Sequence, residues 1–193
     1  MRKPGRRPLA PDDWADAALA AIARGGIEAV AVEPIAAELG ATKGSFYWHF
    51  ANRDALVEAA LARWERLRTD AVIAYLAADS DPARRLRILI EGGFERAPTD
   101  RVEIALLANP GHPAALRAIR RVARRRIDYL SEQLEALGWE ADEARDRAAL
   151  IAYVYVGRMQ LGHIVPRLTD AGARRRQVDL VLDALVQGAP VDA

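Results

Sequence analysis

Lys43, Ser45, Tyr47, Trp48 and His49 fall within one short stretch, and each carries a side chain that can donate a hydrogen bond. Groups of this kind bind phosphate oxygens and reach base edges in the major groove of duplex DNA. The chemistry they suggest is recognition, not bond breaking. Phe46 and Phe50 stand four residues apart among them, so a helix through this stretch is anchored on one side and presents the polar groups on the other. Thr42 stands where its hydroxyl can accept from backbone N–H groups of the next turn and cap that helix. Just upstream, Ile35, Ala36 and Leu39 form a short apolar helix face that ends at Gly40, a residue free to take the left-handed conformation a tight turn needs. Asn52 or Arg53 then opens a longer helix through Asp54 and Leu56. Two short helices joined by a glycine turn are the geometry that sets a recognition helix into DNA.

These elements must sit on something, and almost the whole chain reads as helix, with apolar residues recurring at a period of 3.6. Pro11, Asp12 and Asp13 signal a first helix with Trp14, Ala17, Ala18, Ala21 and Ile22 on one face, stopped at Gly25 and Gly26. With helices over about 32 to 39 and 43 to 49, it completes a three-helix domain. The spacing predicts a bridging helix over 53 to 78, then helices over 82 to 96, a short one through Ile104 to Leu107, and longer ones over 113 to 137, 141 to 164 and 172 to 187. The helix from 113 is expected to bury Leu116, Ile119, Ala123, Ile127, Leu130, Leu134 and Leu137. Arg117, Arg120, Arg121, Arg124, Arg125 and Arg126 then form its solvated face, salt-bridged to a neighbouring helix, and not a second nucleic-acid site. The helix over 141 to 164 is apolar on more than one face, and with the last helix could build a four-helix bundle from two chains. Tyr155 and Leu182 are the residues expected at that interface. The fold class is all-α: a helix-turn-helix domain over 1–50, including a basic arm over 1–8, and a larger helical-bundle domain for ligand binding and dimerisation over 51–193.

The run from Thr42 to Phe50, with Ile35-Ala36, Gly40 and Asn52-Arg53-Asp54-Ala55-Leu56, resembles the DNA-binding domain of the tetracycline-repressor (TetR) family of transcriptional regulators. The likeness is strong over roughly residues 10 to 60 and architectural beyond. By that resemblance Lys43, Gly44, Tyr47, Trp48 and His49 fall where family members meet bases and nearby phosphates, while Thr42, Ser45 and Arg53 fall at phosphate-contact positions. Ala31 and Val32 depart from the pattern, standing where a capping Thr is usual. So does Glu33, standing where an Arg often enters the groove. The resemblance implies a repressor of a palindromic operator, working as a homodimer joined through its last two long helices and released by a small apolar effector. The bridging helix would carry the effector signal toward Arg53.

The bulk properties agree with this class and trim the others. The chain has 193 residues and a net charge of +1, and its basic excess sits on Arg2, Lys3, Arg6 and Arg7 of a Pro/Gly-containing arm. That arm is either a solvated tail or, beside a helix-turn-helix, a phosphate or minor-groove contact. A nonspecific architectural DNA binder would need higher overall basicity. A helical ligand-binding or catalytic protein that keeps this fold is the other alternative, and the basic arm with Tyr47 and His49 on an exposed face argues against it. There is no phosphate-binding glycine loop, nucleophile elbow or zinc-type His-Glu helix pair. The absence of cysteine excludes disulfides and thiolate metal sites, and His49, His112 and His163 are far apart. No catalytic residue, metal or cofactor is expected. No run approaches the roughly 18 apolar residues of a membrane span, so no transmembrane helix is expected. With no cysteine in the chain, a cytoplasmic location is the expectation. A cavity between the middle helices is the natural second site. Its candidate lining is Trp64, Tyr75, Phe94, Tyr129, Tyr153, Met159 and His163, each of which could equally be core, and His163 equally a hydrogen-bonded interior or interface residue.

Overall fold

The fold is described by a computed structural model over residues 8–109 and 111–187. The expected basic arm, apart from Pro8, lies outside the described residues, as does Pro110 of the turn before the helix at 113. The molecule is 82% helical with no strands among the described residues. Helices α1 (Pro11–Gly25), α2 (Val32–Glu38), α3 (Lys43–Tyr47) and α4 (Arg53–Glu65) come first. They are followed by α5 (Ala71–Leu76), α6 (Pro82–Arg96), α7 (Arg101–Ala108) and α8 (Pro113–Glu135). Helices α9 (Ala141–Ile164) and α10 (Ala171–Val181) close the chain.

Local chemistry explains most of the boundaries. The Asp13 carboxylate accepts from the Ala10 N–H at 2.7 Å and caps α1. Thr42 Oγ1, Asn52 Oδ1, Asp81 Oδ1 and Asp170 Oδ1 each accept from a backbone N–H in the first turn of the helix they precede. Ala31 offers no such cap, as the missing Thr foretells. Gly40 has φ +59°, the left-handed turn between α2 and α3.

Two separate apolar cores result. The first joins Trp14, Ile22, Ile35, Phe46, Leu56, Leu61 and Trp64 to Leu106 of α7 and Ala115, Ala118 and Val122 of α8. The second joins Leu86, Ile90 and Phe94 of α6 to Leu130, Leu134, Trp139, Ala148, Ile151, Val178, Val181 and Leu182. Helix α8 threads both, its first half in one core and its second half in the other.

Three expectations need correction. The bridging helix is not uniform: a five-residue π turn, Arg66–Asp70, separates α4 from α5, and α5 ends at Leu76. A side chain explains the site of the wide turn, because Arg126 donates to Thr69 Oγ1 at 3.2 Å and to the Arg68 carbonyl at 3.5 Å. The buried arc of α8 is also rotated from the expected one. Ala115, Ala118, Val122, Tyr129 and Leu130 are buried, Leu116, Ile119 and Ile127 only partly so, and Ala123 is exposed. Small alanines let α8 approach α4 and α7 closely, and the apolar band is wider than the arc actually covered. Finally, Leu182 is 3% exposed within its own chain's second core, so it is no interface residue.

Candidate DNA-binding surface and interior cavity

The helix-turn-helix surface is built from contiguous chain. Phe46 is fully buried, edge-on to Trp14 at 5.5 Å and stacked with Phe50 at 5.6 Å, which fixes the orientation of α3. The opposite side faces out. Tyr47 is 55% and Trp48 88% exposed, and Thr42, Lys43, Gly44 and His49 are exposed beside them. Ser45 is half-buried, its N–H taken by Thr42 Oγ1. A side chain at Gly44 would meet only Thr42 Oγ1, at 3.6 Å, which is ordinary contact, so the fold itself does not require glycine there.

Two groups on this face are engaged within the protein. Lys43 Nζ donates to Glu33 Oε1 at 2.8 Å. That hydrogen bond, with the opposite charge, holds the Glu33 carboxyl below the usual carboxylate range and raises the Lys43 ammonium pKa. Arg53, expected at a phosphate, is spent largely on the fold: Nε donates to the Val30 carbonyl and Nη2 to the Ile27 carbonyl, both at 2.7 Å. It ties the first turn of α4 to the segment that leads into α2.

The cavity lies between α5, α6, α8, α9 and the π turn, with a volume of about 100 Å³. Val72, Ile73, Leu89, Ile90, Phe94, Leu130 and Ile151 supply apolar wall, and Arg68, Thr69, Arg96, Asp100, Arg126, Tyr129 and Tyr155 supply polar positions. Of the residues expected to line it, only Phe94 and Tyr129 do. Tyr75 and Tyr153 are each 69% exposed, because they stand on the outer arcs of α5 and α9. Met159 is buried away from it, and Trp64 belongs to the first core, with the Arg126 guanidinium over its ring at 5.9 Å. The side chain of His163 lies outside the described residues. Tyr155, expected at a dimer interface, instead borders the cavity and donates to Glu103 Oε2 at 3.0 Å.

One polar cluster joins the two cores. Arg126 sits on α8 between Val122 of the first core and Leu130 of the second, and it grips Glu103 of α7 through Nη1 at 2.7 Å and Nη2 at 3.2 Å. Burial pulls the Arg126 pKa down, but the charge and hydrogen bonds of Glu103, with Tyr155, outweigh it and the net direction is upward. Burial, and then the Glu103 charge, push the Tyr155 phenol far above its ordinary value, so it stays a neutral donor. Arg126 therefore does not belong to the solvated arginine face expected of α8. The signal in the sequence was its register: 122, 126 and 130 are four apart, so it shares the arc of Val122 and Leu130. Arg117 and Arg121, by contrast, reach across to Glu58 and Glu65 of α4 as a surface face should.

Helix α9 carries a second face with no partner among the described residues. Leu150, Tyr153, Val154, Leu161 and Ile164 are exposed along it, with Leu180 of α10 also exposed. No helix among the described residues is long and apolar enough to cross a membrane.

Comparison with known proteins places these features. Residues 15–60 match the family described as bacterial regulatory proteins, tetR family. The HTH-type transcriptional regulator BetI 2 of Chromohalobacter salexigens is 28% identical, aligned over 96% of this chain and 93% of its own length. Among solved structures, reduced NemR of E. coli is similar with a TM-score of 0.78 at 15% identity, covering 94% of this chain and 99% of that one. A transcriptional regulator from Saccharomonospora viridis, solved in complex with choline, has a TM-score of 0.75 at 19% identity and covers 90% of this chain and 95% of its own. With residues 15–60 matching that family and a fold shared over nearly its whole length with transcriptional regulators, the chain carries a TetR-family helix-turn-helix domain and is a DNA-binding transcriptional regulator.

Proposed function

We propose that the protein is a dimeric, cytoplasmic repressor, not an enzyme, that releases a palindromic operator when a small molecule enters the cavity. The observation that carries this reading is connectivity. The helical rod that starts at Arg53 against the helix-turn-helix reaches the cavity wall at Arg68 and Thr69. There Arg126 holds the π turn, Glu103 and Tyr155 together across the boundary of the two cores. π turns of this kind recur at functional positions in helices. A ligand that moves Tyr155 or the π turn therefore acts on the rod that ends at the recognition unit. Domains divide, in this reading, into a DNA-binding part over 1–50 and a ligand-binding and dimerisation part over 51–193.

Within the DNA-binding part, Lys43, Gly44, Tyr47, Trp48 and His49 meet the bases and nearby phosphates, and Thr42 and Ser45 position the backbone. Arg53 supports that surface from behind. The choline in the S. viridis neighbour supports the idea that this fold accommodates small molecules. Because a two-turn recognition helix reads only a few base pairs, two copies are needed to specify a site. The exposed face from Leu150 to Ile164 supports pairing through α9 and α10.

Gel-shift titration against DNA from upstream of the protein's own coding sequence, with random competitor, tests the whole reading. Specific binding that a cavity ligand weakens supports it. Equal affinity for random DNA would favour an architectural binder, and no DNA binding at all a helical ligand-binding or catalytic protein. Light scattering tests assembly. The unmodified chain should be a dimer at micromolar concentration, and Leu161→Arg, which places a charge on the exposed face without entering the core, should give folded monomer.

A further inference from the structure

We propose that the cavity binds an amphiphile with an anionic head, a short hydrocarbon body ending in a carboxylate, and that Arg96 holds the head. This rests on the reading of the cavity as the effector site and names the ligand class that site selects.

The charges around the cavity do not balance. Asp100 is saturated: Oδ1 accepts from the Glu103 N–H at 3.1 Å and Oδ2 faces Arg68 Nε at 3.3 Å. Glu103 is saturated too, by both Arg126 nitrogens and the Tyr155 hydroxyl. Each carboxylate already has its cation. Arg96 is different: among the described residues its exposed side chain enters no ion pair or hydrogen bond, while its main-chain carbonyl accepts from Thr99 Oγ1 and the Asp100 N–H, each at 3.0 Å. Its guanidinium lies against α6 at Gly92, where an added Cβ would come within 3.0 Å of Nη1. The missing side chain at Gly92 makes the seat. From it, Arg96 borders both the cavity and an outer groove beside Tyr75 and Ile88. An unpaired guanidinium with a planar fork of donors suits a carboxylate bound through two parallel hydrogen bonds.

The inner wall suits the rest of such a molecule. Leu89, Ile90, Leu130 and Ile151 offer it hydrocarbon. About 100 Å³ is less than the roughly 150 Å³ that holds benzene, so the cavity encloses about three or four carbons of a linear body and the rest lies toward Arg96 and the outer groove. The Tyr129 hydroxyl is buried at the cavity with no hydrogen-bond partner among the described residues. A polar substituent on the body would satisfy it. A cationic ligand finds the opposite situation. Aromatic faces attract ammonium groups, but of the aromatics in the lining Phe94 already faces the Arg158 guanidinium at 5.4 Å and Tyr155 that of Arg126 at 5.6 Å, which leaves Tyr129, a single ring. Neither Asp100 nor Glu103 is free to balance the charge. A quaternary ammonium such as the choline of the S. viridis neighbour therefore has neither cage nor counter-charge in this chain.

Isothermal titration of the full chain with hexanoate, hexanamide and hexylammonium, which share one hydrocarbon body, tests the assignment. Hexanoate should bind about tenfold or more tighter than hexanamide, and hexylammonium should be the weakest of the three. Arg96→Gln should erase the hexanoate advantage and leave hexanamide binding within about twofold, since a neutral amide makes no ion pair. Arg96→Lys should restore part of it. Hexylammonium binding as tightly as hexanoate, a hexanoate preference that survives Arg96→Gln, or no binding by any of the three would each overturn the proposal. Gel-shift on the same samples separates this from induction. If hexanoate binds through Arg96 yet leaves DNA affinity unchanged, induction fails and the ligand class stands. If a neutral or cationic molecule releases the DNA instead, induction stands and the ligand class fails.

Discussion

The two sites are built on opposite plans. The recognition surface comes from one contiguous stretch, its orientation set by Phe46, Phe50 and a turn at Gly40, with most of its polar groups left free to meet something outside. The cavity comes from segments spread between Arg68 and Tyr155, and most of its polar groups, Arg96 and the Tyr129 hydroxyl excepted, are bonded within the protein. A surface of the first kind can change its contacts without disturbing the fold. A site of the second kind cannot, because its polar groups also hold two cores together. Variants should therefore separate the two: stability should fall at the cavity junction, while at the surface DNA affinity should change alone.

The largest effect is expected at Glu103. Glu103→Ala leaves the Arg126 guanidinium partly buried without its carboxylate and removes the acceptor of the Tyr155 hydroxyl. Breaking one side of such a pair costs about 3–5 kcal/mol, and urea unfolding should show it. Replacing Glu103 and Arg126 together by apolar residues of similar size should recover most of the loss. If Glu103→Ala alone is neutral, the cluster does not hold the cores together and the contrast between the sites collapses.

Arg53 sits on the boundary of the comparison. Arg53→Ala strips hydrogen bonds from the Val30 and Ile27 carbonyls, a loss of roughly 1–3 kcal/mol. Stability and DNA affinity should fall together. If the salt slope of DNA binding drops by about one unit while the unfolding midpoint is unchanged, Arg53 is a phosphate contact after all.

What could be read from the sequence follows the same division. Helix α6 begins at Pro82 behind the Asp81 cap and α9 runs over 141–164, both as expected, because caps and breakers act on their immediate neighbours. The exposed face of α3 was legible for the same reason. The rotation of α8 was not: its apolar band leaves several arcs plausible, and only the packing of α4 and α7 against the helix that carries Ala115 and Ala118 selects one. Nor was the cavity. Aromatic size suggested Tyr75 and Tyr153, whereas the lining depends on which arc of each helix faces inward. The polar half of the site, Arg68, Arg96, Asp100 and Arg126, was hidden because charged residues on helices ordinarily mean solvent. Leu182 misled in the reverse sense, apolar enough for an interface but claimed by its own core.

Gly44 separates stability from binding within the recognition surface. It lies inside α3, where an added Cβ would make only an ordinary contact with Thr42 Oγ1 at 3.6 Å. Gly44→Ala should raise stability by up to about 1 kcal/mol, since alanine is the better helix former. The added methyl points at whatever the helix approaches, so affinity for every DNA sequence should fall. Thermal unfolding and gel-shift should thus move in opposite directions. A variant that is more stable and binds equally well would mean that no DNA backbone comes close at this position.

The smallest effect is expected at Glu33, where the surface behaves a little like the cavity because it pairs its own cation. The Lys43 ammonium must leave Glu33 Oε1, 2.8 Å away, before it can serve DNA, and Glu33 itself repels phosphate. Both partners are more than half exposed, so the pair stabilises the fold little. Glu33→Gln should leave the unfolding midpoint unchanged and tighten binding to all sequences by roughly threefold at low salt, with the gain fading as salt screens the charge. The pH dependence has a definite sign. Lys43 holds the Glu33 carboxyl below the usual carboxylate range, so the pair persists above that range and is lost only as pH falls through the lowered value. The affinity gap between Glu33→Gln and the unmodified protein should accordingly be full near neutral pH and close only in acid. A Glu33→Gln variant that changes base preference instead of overall affinity would make Glu33 a reader of cytosine N4 and not a restraint on Lys43.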